Sequence, residues 1–163
     1  MTLHTRAEWE ALEPRIDHKR IYLHHTAGDG HETVPIIDDE HKRQGWEGIG
    51  YHRLIQEDGT IHEGRPDTVM GAQAKGDNAH SIGVAVAGNF MTHLPNAAQW
   101  KGLVHCLAVE CKRWGIPVEH IYGHRDVARL VGDPSVATAC PGDALYAELP
   151  HLRQEVAAEM ARL

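Results

Sequence analysis

Histidine and cysteine side chains stand out in this 163-residue chain, which contains 14 histidines and three cysteines. Three places set them beside turn-forming residues: the pair His24-His25, His124 in Gly123-His-Arg-Asp126, and Cys140 in Thr138-Ala-Cys-Pro-Gly142. Imidazole and thiolate groups are preferred Zn²⁺ ligands, and a zinc ion with three protein ligands keeps a fourth position for a reacting water. These residue types therefore suggest metal-assisted hydrolysis. The alternative is a set of scattered surface histidines and a buried thiol.

The spacing of these residues limits how they can meet. Neighbours on a strand point to opposite faces, so only one of His24 and His25 can face a common ion, and periodicity does not say which. His124 and Cys140 lie 16 positions apart with Gly132-Asp-Pro134 between them, so a loop can fold back and bring them together. A His/His/Cys site requires a strand end and two later segments to converge.

The elements that must position these residues alternate between strands and helices. The apolar run 81–88 is typical of a central strand buried on both faces. The other strands are predicted at 20–25, at 51–56 and 60–63 as a hairpin around Asp58-Gly59, and near 120–123.

The clearest helix is predicted over residues 97–114, where apolar residues recur at the three-and-four spacing of one buried face. Asn96 and Gly115 are its predicted caps. A capping box of Thr5 and Glu8 begins a short first helix, and further helices are predicted at about 34–44 and 149–162. This alternation indicates an α/β layered fold around a single sheet, with residues 1–163 as one domain.

Composition excludes several functions. The formal net charge is −7, from 16 Lys and Arg against 23 Asp and Glu, which argues against nucleic acid as a partner and offers no attraction to anionic membranes. No apolar stretch is long enough to span a bilayer. We expect no membrane insertion and, because Arg6, Glu8 and Glu10 interrupt the N-terminus, synthesis in the cytoplasm without a signal peptide.

The cysteines do not form a disulfide framework in this interpretation. Cys106 and Cys111 lie five positions apart in a predicted helix, which separates their Cα atoms by about 8 to 9 Å, beyond the usual disulfide limit. We expect both to be core thiols, which leaves Cys140 for chemistry. A monomer is the default expectation for a chain of this size.

Several segments, in this order, resemble the type-2 N-acetylmuramoyl-L-alanine amidase family, which includes amidase-type phage lysozymes and peptidoglycan recognition proteins. The resemblance extends from Ile21 to about Leu145. The segments that carry it are Tyr22-Leu-His-His-Thr-Ala-Gly28, Gly48-Ile-Gly-Tyr-His52, Glu57-Asp-Gly-Thr60, Ala74-Lys-Gly-Asp-Asn78, Ser81-Ile-Gly-Val84, Gly88-Asn-Phe90, Gly123-His-Arg-Asp126 and Cys140-Pro-Gly142.

The resemblance implies an α/β fold with a single mixed central β-sheet flanked by helices, of the peptidoglycan-recognition/amidase type. It also implies one zinc ion per chain, held by His24, His124 and Cys140. Tyr51 falls where the family carries a tyrosine beside the metal. Thr138 falls where phage members can carry a catalytic lysine and where recognition-protein amidases carry threonine, so we expect it to assist the chemical step.

The remaining expectations concern residues around this site. His25 and Trp46 are possible substrate-groove residues, with packing as the alternative for each. Gln73 falls where some phage members carry histidine, and we expect no metal or catalytic role for it. Arg125 and Asp126 are expected to position His124 through a salt bridge or a turn hydrogen bond.

The implied function is cleavage of the amide between N-acetylmuramic acid and L-alanine in bacterial peptidoglycan, as a phage or prophage endolysin that reaches the wall after release from the host cytoplasm. The first alternative is a cytosolic amidase that recycles muropeptides. The second is a peptidoglycan-binding module without catalysis. Recognition proteins of that kind usually lose a zinc ligand, and all three are present here.

Overall fold

A five-stranded sheet forms the centre of the computed structural model, which describes residues 2–163. Its strands, in chain order β1 to β5, are Arg20–His25, Arg53–Ile55, Ile61–Glu63, Ser81–Val86 and Ile121–Gly123. They are arranged in the order β3-β2-β4-β1-β5. The pairs β2/β4, β4/β1 and β1/β5 are parallel, whereas β3 is antiparallel to β2. The predicted mixed central sheet is confirmed.

Helices flank this sheet, and their bounds follow the sequence signals closely. The helices, in chain order α1 to α6, are Arg6–Leu12, Val34–Arg43, Ala97–Trp114, Val127–Val131, Asp143–Ala147 and Leu149–Arg162. The Thr5/Glu8 capping box is present at α1. Asn96 caps α3 and Gly115, at φ 67°, ends it. No helix within residues 2–163 is long and apolar enough to cross a membrane.

Strand alternation divides the core between the two faces of the sheet. Ile21 and Leu23 of β1 pack into a large cluster with α3 and α6, where Leu103, Leu107 and Leu152 are fully buried. Tyr22 points to the other face. There α1 and α2 contribute a second cluster against β2 and β4, from residues Trp9, Val34, Ile37, Leu54 and Ala85. His24 lies on this second face, by the same alternation as Tyr22.

One sequence expectation needed correction, and two short helices were not predicted. The predicted strand 51–56 is shorter, because β2 begins only at Arg53 and leaves Tyr51 in the loop before it. The helices α4 and α5 were not predicted, since five residues are too few to establish a helical period. The cysteine interpretation is confirmed: all three thiols are free, and Cys106 and Cys111 are buried.

A buried carboxylate lies on α3. Glu110 is only 2% exposed, with Arg53 at 3.1 Å and the indole N–H of Trp114 at 3.0 Å. The carboxylate of Asp67 also binds Arg53, at 3.0 Å. Burial, reinforced by Asp67 and opposed by Arg53, raises the pKa of Glu110 to about 7. The folded protein therefore favours protonated Glu110 at a pH where the unfolded chain is ionised.

This shift predicts a pH dependence of stability. Because the pKa of Glu110 is higher in the folded state than the ordinary value of 4.5, its contribution is fully present below that value and is lost as pH rises through about 7. We expect Glu110→Gln, which mimics the protonated form, to gain stability relative to the parent as pH rises from about 5 to 8. Urea unfolding at several pH values measures this, with the exposed Glu63→Gln as control. Parallel pH curves for Glu110→Gln and parent protein would refute it.

Candidate metal centre

His24 and His124 meet at the carboxyl edge of the sheet. His24 lies in β1, and His124 directly follows β5, the parallel neighbour of β1. Leu23 of β1 pairs in register with Gly123 of β5, and the residue that follows each of them is a histidine. The two imidazole ring centroids are 4.5 Å apart. The convergence follows from parallel pairing, because adjacent parallel strands end at the same edge.

Glycine allows the close approach of the third segment. A Cβ atom on Gly123 would lie 2.6 Å from the ring of Tyr146 and 3.0 Å from Pro141. Only a residue without a side chain lets α5 and the Cys140 loop pack this tightly on β5. Farther back, Gly132 at φ 70° ends α4 in the left-handed region and turns the chain towards Cys140.

Arg125 fastens the Cys140 loop to the turn that carries His124. Its backbone N–H donates to the carbonyl of Cys140 at 2.9 Å. Its guanidinium donates to the carbonyl of Ala139 and, at 2.9 Å, to the carboxylate of Asp143. These are the turn bond and salt bridge expected of this residue.

Asp126 braces the same turn from the other side. Its carboxylate accepts the backbone N–H of Gly123 at 3.0 Å and the hydroxyl of Tyr146 at 2.6 Å. Arg125 and Asp126 thus fix the backbone of the turn that carries His124.

Three potential ligand atoms converge here. One ring nitrogen of His24, one of His124 and the sulfur of Cys140 all lie within 4.8 Å of one another, and Nδ1 of His24 is 3.7 Å from Sγ of Cys140. Tetrahedral zinc with N and S ligands has ligand-to-ligand edges of about 3.3 to 3.6 Å. Two imidazoles and one thiolate are also a donor set that Zn²⁺ prefers. The donor set therefore fits a zinc ion in its chemistry, and the separation of 3.7 Å between His24 and Cys140 is close to the edge of such a site.

Burial controls the protonation of this cluster. Burial, aided by His124, holds the pKa of His24 well below its usual range. Burial and the nearby His25 lower the pKa of His124 to about 4, and burial raises the pKa of the Cys140 thiol to about 12. Both imidazoles are therefore neutral near pH 7, with a lone pair available for a cation. A bound cation would draw the proton from the thiol.

A cleft of about 370 Å³ opens over the two histidines. Its walls mix aromatic, amide and cationic side chains, from residues His24, His41, Trp46, Tyr51, Ala72, Gln73, Lys75, Asn78 and His124. The ring of Tyr51 lies 5.1 Å from that of His24. Burial raises the pKa of Tyr51, so its hydroxyl keeps its proton and can donate a hydrogen bond.

Thr138 lies at the turn before the cysteine. Its Oγ1 accepts the backbone N–H of Cys140 at 3.2 Å, which leaves the hydroxyl proton available for another acceptor. The structure thus places Thr138 where it shapes the loop that carries the thiol.

The two possible groove residues lie on different sides of the sheet. Trp46 is 40% exposed on the cleft wall, with its ring 4.5 Å from that of His41. His25 is buried and accepts the backbone N–H of Phe90 at 3.0 Å. Strand alternation turns His25 away from His24 and from the cleft, so its contacts correspond to the packing alternative.

The loop after β1 is held by a buried acid. The carboxylate of Glu32 accepts the backbone N–H of Gly30 at 3.1 Å and contacts the hydroxyl of Thr26. A Cβ atom on Gly28 would lie 2.6 Å from this carboxylate. The glycine-rich turn therefore wraps around Glu32 and fixes the end of the strand that carries His24.

Two residues beside the site were not predicted. His41 is 8% exposed, accepts the backbone N–H of Gly50 at 2.8 Å through Nδ1 and packs on Tyr51 at 5.5 Å. Burial lowers its pKa to about 4, so Nε2 carries its proton. Its position on the buried stripe of α2, with Val34, Ile37 and Asp38, was the available signal.

Gln73, for which we expected no metal or catalytic role, places Oε1 2.6 Å from Nε2 of His24.

Fold and site together define an α/β protein with a candidate His/His/Cys metal centre at the carboxyl edge of a mixed sheet. A family model described as N-acetylmuramoyl-L-alanine amidase matches residues 14–143. The chain belongs to this family, which confirms the resemblance found in its sequence motifs.

Similar proteins include both binders and enzymes by name. The chain is 35% identical over 136 residues to peptidoglycan-recognition protein SC2 of Drosophila simulans. The aligned region covers 78% of this chain and 70% of that protein. The chain is 40% identical over 79 residues to the endolysin of Enterobacteria phage T3, which covers 47% of this chain and 52% of the endolysin. The solved structure of N-acetylmuramoyl-L-alanine amidase LysC from Clostridium intestinale URNW matches with a TM-score of 0.73 at 33% identity, covering 83% of this chain and 85% of that one.

Proposed function

We propose that this chain is a zinc-dependent amidase that hydrolyses the bond between N-acetylmuramic acid and L-alanine in bacterial peptidoglycan. The observation that carries the proposal is the convergence of His24, His124 and Cys140 beneath an open cleft, within 4.8 Å of one another. Membership of the amidase family supports the substrate and the bond. We assign this activity to residues 1–163 as one catalytic domain with one zinc ion.

In the proposed reaction His24, His124 and Cys140 would hold the ion. Zinc at this position supplies Lewis-acid polarisation of the scissile carbonyl and activation of a water. The protonated hydroxyl of Tyr51 donates a hydrogen bond to the oxyanion that develops on the substrate carbonyl. Thr138, at the turn before Cys140, contributes a second and weaker hydrogen bond.

Recognition of the polymer is assigned to the rest of the cleft. Trp46 presents an exposed aromatic face, which suits the apolar face of a sugar ring. His41, whose Nδ1 is engaged by Gly50, offers its Nε2–H to the substrate. Lys75 adds a cation at the cleft wall, where it can pair with a carboxylate of the stem peptide.

The biological role that we propose is that of a phage or prophage endolysin acting on the cell wall. Similarity to the endolysin of phage T3 and to LysC of Clostridium intestinale supports this role. Similarity to a peptidoglycan-recognition protein favours binding without catalysis as the second candidate. The complete His/His/Cys cluster favours the enzyme, because a binding module needs no such donor set.

A soluble muropeptide that contains the N-acetylmuramoyl-L-alanine bond separates the two candidates. For the enzyme, mass spectrometry should detect two products: the sugar that ends in N-acetylmuramic acid without its peptide, and the free peptide with a new N-terminal alanine. For the binding module, the muropeptide should remain intact while isothermal titration calorimetry detects its association.

A further inference from the structure

A buried chain of polar side chains lies behind His24. Nε2 of His24 is 2.6 Å from Oε1 of Gln73. Nε2 of Gln73 donates to the hydroxyl of Ser81 at 2.8 Å, and that hydroxyl donates to the backbone carbonyl of Asp77 at 2.7 Å. Gln73 is 6% exposed and Ser81 is fully buried. This series of hydrogen bonds therefore connects His24 to the backbone through two side chains with little access to water.

Hydrogen-bond valence fixes the direction of every link. The carbonyl of Asp77 can only accept, so the single proton of the Ser81 hydroxyl is committed to it. Ser81 must then accept from the NH₂ group of Gln73, which turns the amide oxygen towards His24. An amide oxygen also can only accept, and Nε2 of His24 must therefore carry the proton. The other nitrogen, Nδ1, is left with a bare lone pair, and it is the one that lies 3.7 Å from Cys140.

The backbone and the side chain of Gln73 are both held in place by close contacts. Its backbone N–H donates to the side chain of Asn78 at 3.0 Å. A Cβ atom on Gly83, in the neighbouring strand β4, would lie 2.5 Å from Cγ of Gln73, so only glycine leaves room for this side chain. The carboxylate of Asp77 is itself held by Arg20 at 2.8 Å and by the hydroxyl of Tyr22 at 2.6 Å.

We infer that Gln73 is a positioning residue, which holds His24 as the Nε2–H tautomer and aims Nδ1 at the metal. This inference rests on the proposed function, because it concerns the affinity of the site for zinc. Partners that bind the second nitrogen of a ligating histidine typically change metal affinity by about 10- to 100-fold. Gln73 is thus assigned a role in metal binding without being a ligand.

Zinc affinity tests the inference directly, through competition with a chromophoric chelator. Gln73→Leu keeps the approximate size but removes the acceptor, and we expect zinc binding to weaken by about 10- to 100-fold. Gln73→Glu keeps an acceptor of greater strength and should bind zinc at least as tightly as the parent. The matched control is Gln99→Leu at another buried glutamine, whose side chain donates to the carbonyl of Ala87; it should lose stability and keep zinc affinity.

Equal zinc affinity of Gln73→Leu and the parent would overturn the inference, and absence of zinc binding by the parent would instead refute the proposed function. A second measurement does not depend on any variant. The ¹⁵N chemical shifts of the His24 ring in the metal-free parent should report the Nε2–H tautomer. A dominant Nδ1–H tautomer would also overturn the inference.

Discussion

Cys140→Ser is expected to abolish both zinc binding and amidase turnover. Serine offers a hydroxyl that is far less acidic than a thiol, so the site keeps two neutral imidazoles and loses its only anionic ligand. Loss of one oxyanion donor typically lowers kcat by about 10²- to 10³-fold, so loss of the ion that polarises the carbonyl and activates the water should exceed about 10³-fold. Metal analysis and turnover of muropeptide measure the two effects together.

The chain offers a matched control for this substitution. Cys106 is a buried thiol on α3, within the core cluster on the other face of the sheet. Cys106→Ser makes the same chemical change away from the cleft and should retain one zinc ion and parental turnover. Full activity in a metal-free Cys140→Ser protein would contradict the zinc assignment.

Tyr51→Phe is expected to lower kcat while leaving zinc bound. The substitution removes one hydroxyl and keeps the ring that packs against His24 and His41. If that hydroxyl donates to the oxyanion, kcat should fall by about 10²- to 10³-fold with little change in KM, because the interaction is made mainly in the transition state. Steady-state kinetics with parallel metal analysis provide the measurement.

Tyr122→Phe is the matched control, since Tyr122 lies on β5 and stacks on His120, outside the lining of the cleft. It should show parental kcat. A Tyr51→Phe protein with unchanged kcat would remove Tyr51 from the chemical step. A protein that had lost its zinc would show that the residue supports the metal rather than the reaction.

Local signals predicted the main elements of the fold. Helix α3 extends from Ala97 to Trp114 as predicted, because an apolar face and two cap residues all specify the same bounds. The strand β4 was predicted from its continuous apolar character. The strand β1 was predicted because it ends at the turn-prone segment 26–30. The short helices α4 and α5 are not specified by several agreeing local signals in this way. The turn around Asp126 is stabilised by a hydrogen bond from Tyr146, which lies 20 positions away.

The site could be predicted only in part. Strand alternation required one of His24 and His25 to face away, but both faces of this sheet are covered, so hydrophobicity could not choose between them. In the structure His25 accepts the backbone N–H of Phe90, which lies 65 positions away in the sequence. Gln73 and His24, which contact each other, lie 49 positions apart, and no local sequence pattern predicts this contact. Family motifs supplied the candidate ligands, whereas the hydrogen bonds that orient them required the fold.

The most direct test of the zinc-amidase account counts the new ends released from purified peptidoglycan, with and without a chelator. We expect new N-terminal alanine without new reducing sugar ends, complete loss of this release with chelator, and recovery on addition of zinc. Release of reducing ends would contradict the assigned bond. Binding to the wall with no new ends of either kind would contradict the enzyme and favour a recognition module.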